Sequence, residues 1–251
     1  MNLSLKGKTA LVTGAGGGIG RGILDALTQS GAEVIGCGRR SSGELTLPAG
    51  VAYHRCDVTS REEIEELLKN IDNDFGKLDI LVSNAGGNVF KGTEGCSEED
   101  WSLNMDLNLT SHWRVAKAAA PLLRRGDNPV IQIMSSNHGY QTMKGCFPYN
   151  VTKTALMGLV RAMALDLAPS IRVLGLAPGF IETEGSEKWF RSFENPMAER
   201  EKTMAIHPLK ALGTIEQIGG FSLFLSSPYA AFMTGETIII DGGRTAVLQE
   251  V

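Results

Sequence analysis

A serine, a tyrosine and a lysine lie close together in SSNHGYQTMKGCFPYNVTK, residues 135–153, at spacings that could perform acid–base chemistry. Tyr149 comes thirteen residues after Ser136, and Lys153 follows four residues later, one turn along the same face of a helix. A phenol titrates at about 10, and a nearby ammonium group favours its ionised form. A neighbouring hydroxyl could stabilise charge that develops on a substrate oxygen. The three side chains predict proton exchange with an alcohol or carbonyl oxygen, although a Tyr-x-x-x-Lys pair alone is a weak signal.

A glycine-rich turn, VTGAGGGIGRG, follows the first apolar run and opens a helical stretch. Gly14, Gly18 and Gly20 would allow a tight turn, a close approach of backbone to a pyrophosphate, and close packing of helix on strand. A glycine-rich loop without a ligand is the alternative, but its position between strand and helix favours a dinucleotide site.

The residue type about twenty positions after such a turn indicates the cofactor, since a carboxylate there binds the ribose 2′-hydroxyl of NAD. This chain has Arg39 nineteen residues after Gly20, followed by Arg40. A guanidinium pairs with a phosphate through two hydrogen bonds, so NADP(H) is the predicted cofactor and NAD(H) stays possible. The alternative is that the two arginines are a solvated surface pair.

Short apolar runs alternate with amphipathic stretches along the whole chain, which predicts βαβ units. Six runs predict strands buried on both faces, at residues 9–14, 32–38, 78–86, 129–136, 171–179 and 236–243. Helices are predicted over 60–76, with Ser60 and Glu63 as a capping box, and over 149–167. The predicted fold class is α/β, a single-domain Rossmann-type doubly wound parallel sheet flanked by helices over residues 1–251.

The composition favours a small-molecule enzyme. A net charge of −4 over 251 residues gives no electrostatic reason to expect a nucleic acid or an anionic membrane as partner. The four cysteines form neither a disulfide framework nor a zinc pattern, and no metal is expected. With no signal peptide or membrane span in sight, a cytoplasmic location is predicted.

The spacing of the glycine turn, TGxxxGIG, resembles that of the short-chain dehydrogenase/reductase family. Further segments of that kind occur in order from about residue 5 to residue 243: CDVT, NAG, MDLNL, SS, YNVTK, APGFIET and GETIIIDGG. The chain departs from the family at Ser83 and Leu174, where asparagine is usual. The hydrogen bonds that the family makes at these two positions therefore cannot be assumed here, but neither position affects the reaction class.

The resemblance implies a role for each residue of the proton-transfer group. Tyr149 would be the acid/base, and Lys153 would lower its pKa and hold the nicotinamide ribose. Ser136 would orient the substrate oxygen, with Ser135 as a rival for that role, and Asn108 would support a water-linked proton path. The structural alternative is that Tyr149 only packs at a helix start while Lys153 is solvated.

The resemblance also implies the cofactor contacts. They are Gly14, Gly18, Ile19, Gly20, Arg39, Asp57, Val58, Asn84, Ala85, Gly86, Tyr149, Lys153, Pro178, Gly179, Ile181 and Thr183.

A substrate lid is implied at residues 184–209. Polar and aromatic residues in and around it suggest a sugar, a polyol or a sugar acid as substrate: Asn88, His138, Gln141, Trp189 and Arg191. The function predicted is hydride transfer between NADP(H) or NAD(H) and a secondary alcohol or ketone. Alternatives are a 3-oxoacyl thioester reductase and a non-enzymatic nucleotide sensor. A homotetramer or homodimer is expected, through helices around 100–123 and 149–167.

Overall fold

Seven parallel strands form the centre of the protein, in the order β3-β2-β1-β4-β5-β6-β7. The computed structural model describes residues 3–248, so both ends of the predicted domain 1–251 lie outside it. The strands are β1 Thr9–Thr13, β2 Glu33–Gly38, β3 Ala52–Arg55, β4 Ile80–Ser83, β5 Val130–Met134, β6 Arg172–Pro178 and β7 Thr237–Ile240. The helices are α1 Gly18–Gln29, α2 Arg61–Phe75, α3 Glu98–Met105, α4 Ser111–Leu123, α5 Tyr149–Leu167, α6 Glu184–Phe190, α7 Pro196–Ala205 and α8 Ile215–Ser226.

The six predicted strands are all present, and one more was missed. Every residue of β1, β4, β5 and β6 is buried, as their continuous apolar sequences require. The missed strand is β3, an edge strand whose AYHR sequence is only partly buried and lacks an apolar run. The doubly wound parallel fold predicted from the sequence is confirmed.

Helices cover both faces of the sheet. One hydrophobic core joins α2, α4 and α5 to one face, and a second core joins α1 and α8 to the other. Glycines let α1 and α8 approach closely, because a Cβ on Gly22 would lie 2.4 Å from the Ile215 carbonyl oxygen. These two helical layers hold the parallel sheet in place, and the carboxyl ends of its strands lie along one edge.

The predicted capping box of α2 is only half formed. Ser60 Oγ accepts a hydrogen bond from the Glu63 amide at 3.2 Å, as expected. The Glu63 carboxylate, however, accepts from the Asp57 amide at 2.9 Å instead of reaching back to Ser60. It therefore holds the loop after β3 rather than the helix start.

The strand order reverses between β1 and β4, and ligands of such sheets bind in the crevice at this point. The glycine turn follows β1 and the NAG segment follows β4, while Ser136 and Gly179 come just after β5 and β6. Residues from distant parts of the sequence thus meet at one edge. None of the helices within residues 3–248 is both long enough and apolar enough to cross a bilayer.

Candidate active site

The glycine turn has the backbone that a dinucleotide site requires. Gly14 and Gly18 have φ of +67° and +53°, a region that favours glycine. Gly20 has no room for a side chain, since a Cβ there would lie 2.3 Å from the Gly14 carbonyl oxygen and 2.5 Å from Asn84 Nδ2. Ile19 lies between them and packs its partly buried side chain against the second core. The turn leaves backbone amides at the start of α1 available to an anion.

Hydrogen bonds join this turn to the loop after β4. Thr13 Oγ1 accepts from the backbone amides of Asn84, at 2.9 Å, and Ala85, at 3.0 Å. Asn84 Nδ2 in turn donates to the Thr13 carbonyl oxygen at 2.9 Å. Two segments predicted to bind the cofactor are thereby held side by side.

Two exposed arginines, Arg39 and Arg40, follow the end of β2 and act on different partners. Partial burial would raise the pKa of Asp57, but hydrogen bonds from Thr59 lower it below its usual value, and the charge of the exposed Arg39 acts in the same direction as Thr59. Arg40 donates a hydrogen bond to the Gly16 carbonyl oxygen. Arg40 is also exposed, and its guanidinium reaches the glycine turn.

Tyr53 adds an unexpected polar group to this end of the site. Its hydroxyl is buried and has no hydrogen-bond partner among residues 3–248, and a Cβ on Gly16 would lie 3.1 Å from it. A buried hydroxyl without a partner is costly unless a ligand or water satisfies it. The open glycine backbone, the basic pair and this free donor together fit the adenosine end of a dinucleotide. Val58, which follows β3, is buried.

Tyr149 begins α5 and lies against two other rings. The ring centroids of Phe90 and His138 lie 5.3 Å and 6.0 Å from that of Tyr149, both edge-on. The Tyr149 backbone amide donates to the Val89 carbonyl oxygen at 3.3 Å. The phenol is thus positioned by a helix start and enclosed by an aromatic wall.

Lys153 is buried one turn along α5. Its Nζ donates to the Met134 carbonyl oxygen at 2.9 Å and lies 5.5 Å from the centroid of the Tyr149 ring. Burial lowers the pKa of Lys153 to about 8. The interpretation of Lys153 as a solvated side chain is therefore excluded.

The pKa of Tyr149 shifts in the direction opposite to the one expected. Burial raises the pKa of the phenol to about 12, and a hydrogen bond with Ser136 opposes this shift. Desolvation, which disfavours the charged phenolate, is the largest cause of this shift. At neutral pH the phenol is protonated and ready to donate to a carbonyl oxygen.

The two serines after β5 have different partners. Ser135 Oγ donates to the Lys153 carbonyl oxygen at 2.8 Å, so its hydroxyl is used in anchoring α5. Ser136 Oγ donates to Asn137 Oδ1 at 3.4 Å and accepts from the His138 amide at 3.2 Å, and its hydroxyl opposes the rise in the pKa of the Tyr149 phenol. Only Ser136 is placed to share a substrate oxygen with Tyr149.

Asn108 lies in a π-helical turn, Asp106–Thr110, between α3 and α4. It is fully buried, donates from Nδ2 to the Gly87 carbonyl oxygen at 2.9 Å, and accepts from the Gly87 amide at 2.9 Å. A Cβ on Gly86 would lie 2.9 Å from Asn108 Oδ1 and 3.8 Å from Lys153 Nζ. Asn108 therefore clamps the loop beside Lys153. Such turns are frequent at functional sites.

The segment after β6 closes the other side of the crevice. A Cβ on Gly179, which follows Pro178, would lie 2.7 Å from the Asp241 side chain. Ile181 is buried, and Thr183 caps α6 while lying 3.6 Å from the position of a Cβ on Gly18. The glycine turn and this segment thus face one another.

The predicted lid consists of α6 and α7. Arg200 of α7 donates to the carboxylates of Glu182 and Glu187 and lies 5.0 Å over the Phe190 ring. Phe190 is buried, while Trp189 is partly exposed and packs against it with a centroid distance of 5.1 Å. Ion pairs and ring contacts therefore hold the two lid helices together.

The predicted substrate residues are not all brought to Tyr149. His138 does lie beside Tyr149, and its Nδ1 lies 3.0 Å from Thr142 Oγ1. Asn88 and Gln141 are exposed on loops flanking the phenol, and Arg191 is exposed at the end of α6. No hydrogen bond or ion pair within residues 3–248 joins Arg191 to the Tyr149 group.

Ser83, one of the two positions at which the chain departs from the family, contacts a buried histidine in the structure. Ser83 Oγ lies 2.8 Å from Nδ1 of His112, a histidine that belongs to none of the motifs in the sequence. His112 is fully buried, and its Nε2 has no hydrogen-bond partner in the part of the chain that the structure describes. Burial lowers the pKa of His112 to about 3, and the charge of Lys153 acts in the same direction.

His112 is expected to make the protein acid-sensitive. Its pKa is about 6.5 in an unfolded chain, so between pH 3 and 6.5 the unfolded state binds the extra proton and stability falls as pH falls. The slope is up to about 1.4 kcal/mol per pH unit. Urea unfolding at about pH 5 and about pH 7 should show a smaller pH dependence for His112→Gln than for the wild type. His54→Gln, at a partly exposed position, is the control; an unchanged slope in His112→Gln would contradict the assignment.

Comparison with known proteins gives matches along nearly the whole chain. The family model described as Enoyl-(Acyl carrier protein) reductase matches residues 14–245. The 3-oxoacyl-[acyl-carrier-protein] reductase FabG of Vibrio cholerae is 36% identical over 96% of this chain and 98% of its own length. Human Dehydrogenase/reductase SDR family member 4 is 36% identical over 97% of this chain and 90% of its own. The ligand-free aldohexose dehydrogenase of Thermoplasma acidophilum superimposes with a TM-score of 0.92, at 28% identity, over 98% of this chain and 97% of that one.

Proposed function

The chain belongs to the short-chain dehydrogenase/reductase family of NAD(P)-dependent oxidoreductases, and from that premise we propose that it interconverts a polar secondary alcohol and its ketone, with NADP(H) preferred. The observation that carries the proposal is the Ser136–Tyr149–Lys153 group at the carboxyl edge of the sheet, next to the glycine turn. The non-enzymatic sensor is not proposed, since the relatives are oxidoreductases and this chain keeps the proton-transfer group.

The nicotinamide, when bound, supplies or accepts the hydride and in its oxidised form adds a positive charge. The remaining chemistry belongs to the chain. The Tyr149 hydroxyl gives its proton to the carbonyl oxygen during reduction, or takes it from the alcohol during oxidation. Ser136 Oγ donates to the same oxygen and stabilises charge developing there. Lys153, its pKa lowered by burial, restores the proton to Tyr149, and Asn108 fixes the loop beside it.

The cofactor contacts follow the same geometry. We assign the pyrophosphate to Gly14, Gly18, Ile19 and Gly20, and the adenosine to Arg39, Asp57 and Val58. The nicotinamide end is assigned to Asn84, Ala85, Gly86, Tyr149, Lys153, Pro178, Gly179, Ile181 and Thr183. The position of Arg39 at the end of β2, with Arg40 beside it, supports NADP(H) over NAD(H).

Arg39→Asp is expected to reverse the cofactor preference, because a carboxylate repels the 2′-phosphate and can bind a free ribose 2′-hydroxyl. The ratio of kcat/KM for NADP(H) to that for NAD(H) should fall by about 10- to 100-fold. Arg125→Gln, which removes an exposed partner of Asp72, serves as the control. A ratio that does not change in Arg39→Asp would place the 2′-phosphate elsewhere.

Two substrate classes are supported by different observations. Polar side chains around the phenol, and the similarity to an aldohexose dehydrogenase, favour a sugar, polyol or sugar acid. The 36% identity to a 3-oxoacyl-[acyl-carrier-protein] reductase favours an acyl thioester as the second candidate.

The test is hydride transfer followed at the nicotinamide absorbance. The panel contains sugars, sugar acids, polyols, simple ketones and a 3-oxoacyl thioester, each with both cofactors. Turnover of polyhydroxylated compounds supports the first class, and turnover only of thioesters or apolar ketones excludes it. No turnover with any member would contradict the proposed reaction.

Three further parts of the proposal concern the setting of the reaction. Residues 184–209 are proposed as the substrate lid, supported by their packing over the segment after β6.

A homotetramer or homodimer is supported by apolar residues exposed on the long helices, such as Leu103, Trp113 and Leu165. Sedimentation velocity measures the oligomeric state, and a monomer would contradict this part of the proposal. A cytoplasmic location agrees with the buried free thiols of Cys37 and Cys56, and cell fractionation tests it.

A further inference from the structure

Tyr53, in the edge strand β3, extends its side chain along the neighbouring strand β2. Gly36 pairs with Tyr53 in the register of the two strands, and a Cβ on Gly36 would lie 2.9 Å from the Tyr53 ring. A Cβ on Gly38, at the carboxyl end of β2, would lie 2.7 Å from the Tyr53 hydroxyl. The two glycines of β2 therefore leave the phenol room to reach the edge of the sheet where the glycine turn lies.

The Tyr53 hydroxyl is a buried donor without an acceptor. It has no hydrogen-bond partner within residues 3–248, and a Cβ on Gly16 of the glycine turn would lie 3.1 Å from it. Burial is the largest cause that raises the pKa of this phenol, so the hydroxyl is protonated at neutral pH. A buried hydroxyl that donates to nothing is costly, and the cost disappears when an acceptor reaches it.

The guanidinium of Arg40 approaches the same point of the glycine turn. The Cβ position on Gly16 lies 3.2 Å from Arg40 Nη2, and a Cβ on Gly17 would lie 3.1 Å from the same atom. Nη2 donates to the Gly16 carbonyl oxygen, an uncharged acceptor, in an exposed hydrogen bond. Arg40 forms no ion pair with any residue that the structure describes. The Glu44 carboxylate, four residues along, accepts from the amide and the hydroxyl of Ser41.

The chemistry of these two donors fits a phosphate. A hydrogen bond from a guanidinium to a phosphate is charge-assisted and is stronger than one to a neutral carbonyl oxygen. A phosphate beside the turn therefore draws Arg40 away from Gly16. It also offers several acceptor oxygens, so one oxygen remains for a neutral hydroxyl next to the guanidinium.

We propose that Tyr53 is a specificity-determining residue for NADP(H): Arg40 leaves the Gly16 carbonyl oxygen for the 2′-phosphate, and the Tyr53 hydroxyl then donates to the same phosphate. This inference rests on the proposed function. It adds to Arg39 a hydroxyl donor from β3 that belongs to none of the cofactor motifs in the sequence. The Tyr53 hydroxyl thus destabilises the free protein and stabilises its complex with the phosphorylated cofactor.

The experiment measures nucleotide binding without hydride transfer. Calorimetric titration of the full-length protein, at constant ionic strength, compares adenosine 2′,5′-bisphosphate with adenosine 5′-monophosphate, which lacks only the 2′-phosphate. Tyr53→Phe should lower the ratio of the two affinities by about tenfold or more, because a hydrogen bond to a charged group is lost. In the same variant the midpoint of urea unfolding of the free protein should rise, because no unpaired buried hydroxyl remains. A hydroxyl with only a structural role would not produce these two opposite changes.

Further variants test the second donor and the glycine between the two. Arg40→Gln should also lower the affinity ratio by about tenfold or more, and Arg40→Lys should keep part of it, because an ammonium group retains the charge but not the paired donors. Gly16→Ala should lower the ratio because the new Cβ crowds both donors. Tyr229→Phe, which removes the hydroxyl of an exposed tyrosine outside the site, is the control and should keep the wild-type ratio.

The results separate this inference from the proposed function. An unchanged affinity ratio in Tyr53→Phe, or an unfolding midpoint that does not rise, would overturn the role of Tyr53. If Arg39→Asp changed the ratio while Tyr53→Phe and Arg40→Gln did not, NADP(H) would remain the preferred cofactor and the inference would be wrong. Conversely, a ratio that depends on Tyr53 and Arg40 would stand even if the substrate panel gave no turnover.

Discussion

Replacing Tyr149 with Phe is expected to lower kcat by about 10²- to 10⁴-fold, the usual contribution of a positioned acid or base. The variant keeps the ring that packs against Phe90 and His138 and removes only the hydroxyl that exchanges the proton. Nucleotide affinity should change little, because the glycine turn and the loop after β4 are untouched. Steady-state rates and fluorescence titration with the reduced cofactor measure the two quantities separately.

The control for this variant is Tyr229→Phe, which removes a hydroxyl from an exposed tyrosine outside the site. It should keep the wild-type rate. If Tyr149→Phe retained more than about a tenth of the wild-type kcat, another group would have to carry the proton, and the role of Tyr149 would be refuted.

The sheet could be predicted because its central strands are buried on both faces. That environment demands continuous apolar runs, which stand out in the sequence of β1, β4, β5 and β6. β3 was not predicted because an edge strand with the sequence AYHR is only partly buried and needs no continuous apolar run. The π-helical turn at Asp106–Thr110 left no sequence signal, since it differs from an α-helix only in its hydrogen bonds.

The site was predictable where spacing alone determines proximity. A lysine four residues after a tyrosine on a helix must lie on the same face, and Lys153 lies 5.5 Å from the Tyr149 ring. Contacts between distant segments carry no such signal. The partnership of Ser83 with His112 depends on how the elements pack.

The direction of the Tyr149 pKa shift shows a further limit of spacing arguments. Proximity to a lysine predicts a lowered pKa, yet burial of the phenol raises it. Desolvation depends on everything that surrounds the group, so it follows only from the full structure. The close backbone approach at Gly20, by contrast, could be predicted, because the glycine in the sequence already indicates that no side chain fits there.

Gly20→Ala is expected to weaken cofactor binding by at least about tenfold and to lower the free energy of unfolding by about 1–3 kcal/mol, as overpacking does. The new Cβ would lie 2.3 Å from the Gly14 carbonyl oxygen and 2.5 Å from Asn84 Nδ2. Neither group can retreat without cost, because Gly14 is in the tight turn and Asn84 Nδ2 bonds the Thr13 carbonyl oxygen. The clash must therefore open the backbone that receives the pyrophosphate.

Gly220→Ala provides the matched control for this change. Gly220 lies on an exposed side of α8, where a Cβ would meet nothing within 4 Å. The same substitution there should raise stability by about 0.5–1 kcal/mol through helix propensity and leave cofactor affinity unchanged. Calorimetric titration with NADP(H) and urea unfolding of both variants separate the steric effect at the turn from the general effect of alanine. Wild-type affinity in Gly20→Ala would mean that the dinucleotide does not bind at this turn.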